Sequence, residues 1–450
     1  GRLAWPPRAA ALGLAWLVCQ PGEAAAQSGI TDRIDLRGIA TVETAIEFDG
    51  DGFQKGDFVL EPEGDIDLGA FGDLTFIGRL RVDPVDELEP GRVDDQDGVR
   101  SVVSRRAFIG DAADFELREL YLDNYFGNVF LRLGKQQVVW GEADGLRVLD
   151  VVNPLQFREF IIGDFEDRRI PTWMANVEAT FGSVTAQFLW IPDHTYDEVP
   201  EPGAVFEITS PRFGPTVPEG FAGTVALAEP DRPDRFIEDD DYGARINAFI
   251  GGWDLSLNYL YHFRDEQVLR RSGDASGDIL IEPEYERSHL IGATASNAFG
   301  KFTLRSEVGY STNRFFLTND PLDEDGVFES DEISYVLGVD YQYDADTLIS
   351  GQIFQSYLTD AGDAGVRDDL DTTLSLLVSR EFRNDTIVAE ALYLQSVNDG
   401  DGLLQIDFSY ELRSNLKLLA GADVFFGDAD GVFGQFDGAD RIRFGFEYGF

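Results

Sequence analysis

From about residue 33 to the end of the chain, hydrophobic side chains fall on every second position in segment after segment. Clear cases are Leu74-Phe76-Gly78-Leu80-Val82, Val184-Ala186-Phe188-Trp190, Tyr242-Ala244-Ile246-Ala248-Ile250 and Trp253-Leu255-Leu257-Tyr259-Tyr261. Others are Phe302-Leu304-Ser306-Val308-Tyr310, Ile333-Tyr335-Leu337-Val339-Tyr341-Tyr343 and Leu404-Ile406-Phe408-Tyr410-Leu412. A period of two places these side chains on one face of a strand and the residues between them on the other. The pattern gives about 18 strands (roughly 16–18), each long enough to cross a bilayer at a tilt. Strand edges and register are least certain near Leu117–Leu122 and Ile387–Leu394.

The connections separate a barrel from a soluble sandwich. Short turns are expected at Phe71-Gly72-Asp73, Phe126-Gly127-Asn128, Phe181-Gly182-Ser183, Gly251-Gly252, Phe299-Gly300, Asp344-Ala345-Asp346, Arg383-Asn384-Asp385 and Ser414-Asn415. Mostly longer segments lie between them, near 83–113, 141–171, 192–240, 264–283, 314–331, 360–369 and 428–438. Regular alternation of short and long connections suits a membrane barrel with short periplasmic turns and long external loops. Phe126, Phe181, Trp253, Phe299, Tyr343 and Phe382 all border short turns, where an interfacial girdle would place them. The expected fold is all-β, a transmembrane antiparallel up-and-down β-barrel. The last strand ends Ile442-Phe444-Phe446-Tyr448-Phe450 and resembles the closing strand and assembly signal of Gram-negative outer-membrane barrels. That resemblance implies recognition of Phe446, Tyr448 and Phe450 by the barrel-assembly machinery, and a place in the cell outer membrane.

Composition changes the picture at two points. The first 27 residues read as a signal peptide, leaving 28–450 as the barrel: Arg2 and Arg8 precede the apolar run Ala9–Cys19, and Ala24-Ala25-Ala26 precede Gln27. Cys19 is the single cysteine, and Trp16-Leu17-Val18 before it is bulkier than a lipoprotein anchor tolerates. A mature chain without thiols has no disulfide, thiolate metal site or Cys nucleophile. The net charge of −47, with lysine only at Lys55, Lys135, Lys301 and Lys417, argues against nucleic acid as a partner. The acidity reads either as general adaptation to salt or as loops that bind divalent cations at a lipopolysaccharide surface. Asp323-Glu324-Asp325-Gly326 has Gly where a calcium loop needs it, but Pro321 stands at the first ligand position, so no metal is expected. No nucleotide, dinucleotide or zinc fingerprint is present, and no cofactor is expected.

With the apolar set facing lipid, the lumen receives Glu61, Glu63, Asp65 and Asp67, then Thr75, Arg79 and Arg81, and later Arg132, Arg245 and Arg305. Neighbouring acidic and basic rows can pair across strands, or the arginines can line a path for carboxylates. The stretch 141–171 departs from the plain acidic loops. It mixes Leu146, Val148, Leu149, Val151, Val152 and Leu155 with charges, and is expected to fold inward at the barrel mouth. Gln136, Trp140, Glu142, Asp144, Arg147, Asp150, Asn153 and Arg158 are its candidate constriction residues, although packing on neighbouring loops is an equal reading.

Arg132-Leu133-Gly134-Lys135-Gln136-Gln137-Val138-Val139-Trp140-Gly141-Glu142, continuing to Asp150-Val151-Val152-Asn153-Pro154, resembles a proteobacterial outer-membrane barrel family of unassigned function. Its members are often encoded near RND-type exporters and a periplasmic lipid-carrier-like partner. The resemblance implies passage or export of a hydrophobic or small organic solute across the envelope. The chain is also distantly similar to 18-stranded export porins such as the alginate exporter, but its mixed-sign lumen does not suit a polyanion. The alternatives are a structural or surface-binding barrel with a plugged lumen and, more remotely, a barrel enzyme of lipase or protease type. His194 reads as exposed on a loop, and His262 and His289 fall near the outer ends of adjacent strands. Ser288 and His289 are consecutive and face opposite ways, so no enzyme activity is expected.

Overall fold

The computed structural model describes residues 33–48, 52–91, 96, 98–143, 145–215, 221, 223–273, 278–320, 323–360 and 365–450. The segment read as a signal peptide and Asp144 lie outside the described residues. Eighteen strands form one closed antiparallel barrel. They are β1 Ile34–Glu47, β2 Phe53–Asp67, β3 Asp73–Val82, β4 Ala113–Phe126, β5 Val129–Gln136, β6 Thr172–Phe181, β7 Val184–Ile191, β8 Asp241–Ile250 and β9 Trp253–Phe263. The ring continues with β10 Arg287–Phe299, β11 Phe302–Leu317, β12 Val327–Asp344, β13 Thr347–Leu358, β14 Leu370–Phe382, β15 Ile387–Ser396, β16 Gly402–Arg413, β17 Leu416–Phe426 and β18 Arg441–Gly449. Each strand pairs with its sequence neighbour, and β18 pairs with β1 from Ile39↔Gly449 to Glu47↔Arg441, which closes the ring. Among the described residues no helix is long and apolar enough to cross a membrane.

All eight expected short turns join strands at one end, where β1 also begins and β18 ends. Gly127, Gly182, Gly251, Gly300, Asn384 and Asp385 take positive φ in these turns, which tight reversals require. Phe126, Phe181, Trp253, Phe299, Tyr343 and Phe382 are exposed beside them. Along the wall, burial runs opposite to that of a soluble sheet. Ile246 and Leu257 are 51% and 57% exposed, whereas Asn258, next to Leu257, is 1% exposed. The outer face is apolar and the polar residues point inward, as a lipid surround demands.

Three local features differ from the plain periodic reading. β5 ends at Gln136, four residues before Trp140, because the chain turns into the lumen there. β4 carries an extra residue at Arg118, since Ile77 pairs with Glu119 and Gly78 with Leu117; this bulge blurred the alternation near Leu117–Leu122. β15 pairs without a shift, but its inner face carries Val388, Leu392 and Leu394 beside Glu390, so period two is hard to see.

Gly134 explains one glycine of the Arg132–Glu142 motif. Its φ is 134°, and a Cβ there would lie 2.1 Å from the Leu120 carbonyl oxygen on β4. Gly134→Ala is expected to cost about 1–3 kcal/mol through backbone strain alone, with the clash added. The denaturant midpoint of the folded barrel, compared with that of Gly251→Ala as an open-turn control, measures it.

Candidate functional site

Residues 137–171, between β5 and β6, cross the lumen and touch both sides of the ring. Their first half is stapled at its base by Asn153. Its Oδ1 accepts from the Val138 N–H at 2.8 Å, and its Nδ2 donates to the carbonyls of Gln136 (3.2 Å) and Ile170 (3.1 Å) and to Thr172 Oγ1 (3.2 Å). Trp140 is fully buried against β6–β10 with Val138, Leu149, Val152, Met174, Leu189, Leu260 and Leu290. Its Nε1 donates to Gln187 Oε1 at 2.9 Å. The wall is hollowed to receive it: a Cβ on Gly243 would lie 3.0 Å from the Trp140 ring, and one on Gly292 would lie 2.4 Å from Leu149 Cδ2. On β11, Glu307 accepts from the backbone N–H groups of Glu142 and Leu149, and Arg305 donates to the Glu142 carbonyl and to Asp340 at 2.9 Å.

The second half lands on the far side, at the seam where the barrel closes. Arg158 is buried among Asp57 (2.9 Å), Asp83 (2.6 Å) and Glu89 (2.9 Å). Burial alone would lower its pKa, but Asp57, Glu89, Glu159 and Asp83 outweigh burial and hold it well above its ordinary value. Glu159 accepts from Lys55 on β2 at 2.7 Å and from Arg441 on β18 at 2.6 Å. Burial would raise that carboxyl, yet Lys55, Arg441 and Arg158 hold it well below the usual carboxylate range. Asp423 joins Arg441 (2.7 Å) to Arg443 (2.8 Å), and Arg443 reaches Asp407 at 2.7 Å. Above this network Phe160 and Ile162 meet Leu88, Phe206, Phe433 and Phe436 from other external loops and Leu394, Leu403 and Phe425 from the wall. Phe160 and Phe436 lie 4.6 Å apart between ring centroids.

Below residues 157–168 a cavity of about 670 Å³ remains in the lumen. It is lined from Asp57 and Arg441 near the mouth down to Val388 and Glu447 near the short turns. Its charged side is mixed in sign: Lys55, Arg79, Arg81, Arg441 and Arg443 with Glu43, Asp57, Glu61, Asp407 and Glu447 from the wall, and Arg158 and Arg168 with Glu159, Asp164 and Asp167 from the crossing segment. Leu377 on β14, Val388, Leu392 and Leu394 on β15 and Leu419 on β17 make the inner wall there partly apolar, around Glu390 on β15 and Gln405 and Asp407 on β16.

The candidate residues therefore fall into distinct places. Arg79, Arg81 and Arg158 line the cavity. Arg79 pairs with Glu61 at 2.8 Å and with Asp167 of the crossing segment at 2.7 Å. Arg132 makes a two-pronged bond to Asp123, both contacts 2.7 Å, under the ring of Tyr121. Gln136 is fully buried and donates to the Met174 carbonyl at 3.2 Å. Arg147 bonds Asp197 at 3.3 Å, and Asp150 bonds Arg169 at 2.6 Å. Arg245 donates to the Val139 carbonyl at 3.2 Å. At the seam, Phe450 exchanges two 3.0 Å backbone bonds with Gly38, its ring covers Gly38, and Tyr448 stacks on it at 6.3 Å; Phe446 is exposed outward. Most charged rows in the lumen pair within the wall. Sequence reasoning did not single out Glu159, Arg168 or the partly apolar inner wall. The alternation of apolar and charged residues in Phe157-Arg158-Glu159-Phe160-Ile161-Ile162 is the signal that could have pointed to the first.

The model of the family described as "Protein of unknown function (DUF1302)" matches residues 109–365, more than half of the chain. The chain belongs to this family. The matched span holds the whole crossing segment and its β6–β11 wall, while the seam lies outside it. Among solved structures, OccAB2 of Acinetobacter baumannii is similar over 94% of this chain and 99% of its own, at 13% identity and a TM-score of 0.51. Two mutants of the Rh. blastica porin are similar over 93% of this chain and 100% of theirs, at 13% and 12% identity and TM-scores of 0.37 and 0.39. At such identities the likeness to OccAB2 is one of fold. No curated protein matches the chain.

Two further features of this DUF1302 chain lie outside the cavity. His194 is buried, not exposed: its Nε2 sits 3.3 Å from Asp240 Oδ1, because residues 192–240 fold back over the barrel rim. Ser288 Oγ donates to the Thr312 carbonyl at 2.7 Å, and His289 Nδ1 bonds the Tyr259 hydroxyl at 2.8 Å. The external loops also bring Asp197 and Asp265 together, joined by the Asp197 N–H to the Asp265 carbonyl at 3.1 Å. Burial and the neighbouring Asp197 push Asp265 well above the usual carboxylate range, and burial raises Asp197 despite Arg147. A carboxyl raised in the folded state binds its proton there before it does in the unfolded chain. Its contribution to stability is therefore fully present at acid pH and falls as pH rises from the unfolded value through the folded one. Protease digestion of the 192–240 loop is expected to be slower at about pH 5 than at about pH 8. Asp265→Asn should be slow at both; an unchanged pH dependence in that variant counts against the assignment.

Proposed function

We propose that the protein sits in the Gram-negative outer membrane, among its lipid and lipopolysaccharide, and passes or exports a hydrophobic or small organic solute. The apolar side chains of the inner wall, Leu377, Val388, Leu392, Leu394 and Leu419, carry this reading. A lumen that conducts only water and ions has no use for leucines there, since interior faces of such barrels are polar. The cavity continues toward the short-turn end, where a periplasmic carrier or RND-type exporter could load it, and movement through the barrel is passive. The crossing segment with its charged anchors acts as the constriction.

A second reading is a plugged, structural barrel whose acidic loops bind cations or lipopolysaccharide. The aromatic cluster that covers the mouth around Phe160 and Phe436 favours it. Planar-bilayer conductance separates the two. Passage predicts small but measurable conductance for the folded barrel, rising when residues 142–158 are removed, with folding checked by heat-dependent gel migration. Silence of both proteins would sink the passage reading and leave the plugged barrel.

A further inference from the structure

Two arginines in the cavity stand out by lacking what their neighbours have. Along the inner row of β3, Arg79 is paired with Glu61 and Asp167, and Asp83 with Arg158. Among the described residues Arg81, on the same face, makes no hydrogen bond or ion pair, and its Nε is buried without a partner; Asp57 acts on it only from beyond ion-pair distance. The crossing segment repeats the arrangement. Asp167 is held by Arg79 and Arg169 by Asp150, while Arg168 between them, among the described residues, is in side-chain contact with the Phe165 ring, 4.5 Å from its guanidinium carbon, and in no ion pair. Arg168 is 8% exposed, and its Nε is also buried without a partner. Both side chains line the cavity below the crossing segment, with Leu377, Val388, Leu392, Leu394 and Leu419.

A buried cation with no carboxylate at ion-pair distance is costly, and Asp164 and Asp150 act on Arg168 only from beyond that distance. Burial, with Arg147 and Arg169 close by, lowers Arg168 to about 10, which still leaves it charged at neutral pH. The missing anion fits a ligand. A free inorganic anion would use the guanidinium but not the leucines, whereas a neutral hydrocarbon would use the leucines but leave the guanidinium bare. We propose that the cavity binds an anionic amphiphile, with an oxyanion head on Arg168 and Arg81 and its hydrocarbon chain along Leu377, Val388, Leu392, Leu394 and Leu419. This deepens the passage reading and rests on it only in taking the same cavity as the solute's place.

The probe is decanoate carrying a photoactivatable diazirine on its chain, offered to the folded barrel in lipid nanodiscs, with cross-linked peptides mapped by mass spectrometry. Saturable cross-links on the inner faces of β14–β17 are expected, displaced by unlabelled decanoate or decyl phosphate but not by decanol or acetate. If decanoate and decyl phosphate compete unequally, the stronger one names the head. The double variant Arg81→Gln/Arg168→Gln should lose at least about tenfold in inner-wall labelling, as loss of charge-assisted bonds implies. Arg168→Lys should recover part of it. Labelling confined to the lipid-facing side chains, or inner-wall labelling unchanged in the double variant or displaced equally by decanol, overturns the proposal. Should the double variant not fold, the position of the wild-type cross-links and the decanol competition decide alone. A barrel that conducts but is not labelled inside loses this inference and keeps passage; one that is labelled inside but stays silent keeps the inference and loses passage.

Discussion

Arg158→Leu is expected to release residues 157–163 from the barrel wall and to raise single-channel conductance several-fold. Arg158 is the cation for Asp57, Asp83 and Glu89, and it lies 3.6 Å from Glu159. Leucine would fill much of the space but leave Asp83 buried without its cation, Asp57 with Lys55 at 3.8 Å and Glu89 with Arg106 at 2.9 Å. Breaking one partner out of a buried ion group costs about 3–5 kcal/mol, because the remaining charges keep their desolvation penalty without the attraction. That loss exceeds what one ring in the mouth cluster can return, at about 1.5–3 kcal/mol for a buried Phe such as Phe160. The loop should therefore move while the ring of strands, held by its own backbone bonds, persists. Two measurements test it together: conductance in planar bilayers, and chymotryptic cleavage after Phe157 or Phe160 in the intact barrel. If both match the wild type, the ion group is not what holds the segment.

Trp140→Ala acts on the opposite anchor and should cost more in stability than in conductance. The ring is fully buried on the Gly243 wall, and its Nε1 bond leaves Gln187 Oε1 without that donor when removed. Deleting a large buried aromatic typically costs about 3–5 kcal/mol, the cavity left behind included. Trp140→Phe keeps most of the volume and loses the hydrogen bond, so about 1–3 kcal/mol of that loss should remain. Denaturant unfolding of the three proteins in detergent, followed by tryptophan emission, ranks them. An Ala variant within about 1 kcal/mol of the wild type would mean that the wall relaxes around the hole.

Much of the fold was legible in the chain because the barrel imposes it residue by residue. Alternation is a local property of each strand, and the positive-φ positions at Gly127, Gly182 and Asn384 mark the reversals by residue type. The strand number and the short turns follow from those alone. The destination of a loop is different in kind. Arg158 meets Asp57, 101 residues away, and Arg441 meets Glu159, 282 residues away, and no local pattern encodes such partners. Sequence reasoning picked out Arg79, Arg81 and Arg158 as charged residues on an inward row or an unusual loop, and the structure brings these three to one cavity. It grouped Gln136, Trp140 and Asn153 with them, and these are packed or hydrogen-bonded into the base of the segment instead. The inner wall of β15 escaped notice because three apolar residues on its inner row, Val388, Leu392 and Leu394, blur the period. His194 was misplaced because an exposed-looking loop folded back onto Asp240.

The seam network has a consequence for how the molecule is made. Glu159 binds Lys55 on β2 and Arg441 on β18, and Arg443, two residues further along β18, reaches toward Glu43 on β1. The strands at the two ends of the ring are thus cross-linked through a segment that lies inside it. Arg441 is wholly buried, and with Glu159 elsewhere it would be left with Asp423 alone. Zipping β18 onto β1 before the segment is in place would trap unbalanced charge at the seam. Ring closure and lumen filling are therefore best accomplished as one cooperative event. A nascent barrel that has lost its inner segment should linger as an open, unsealed sheet, visible as a delay between outer-membrane targeting and the appearance of heat-resistant protein.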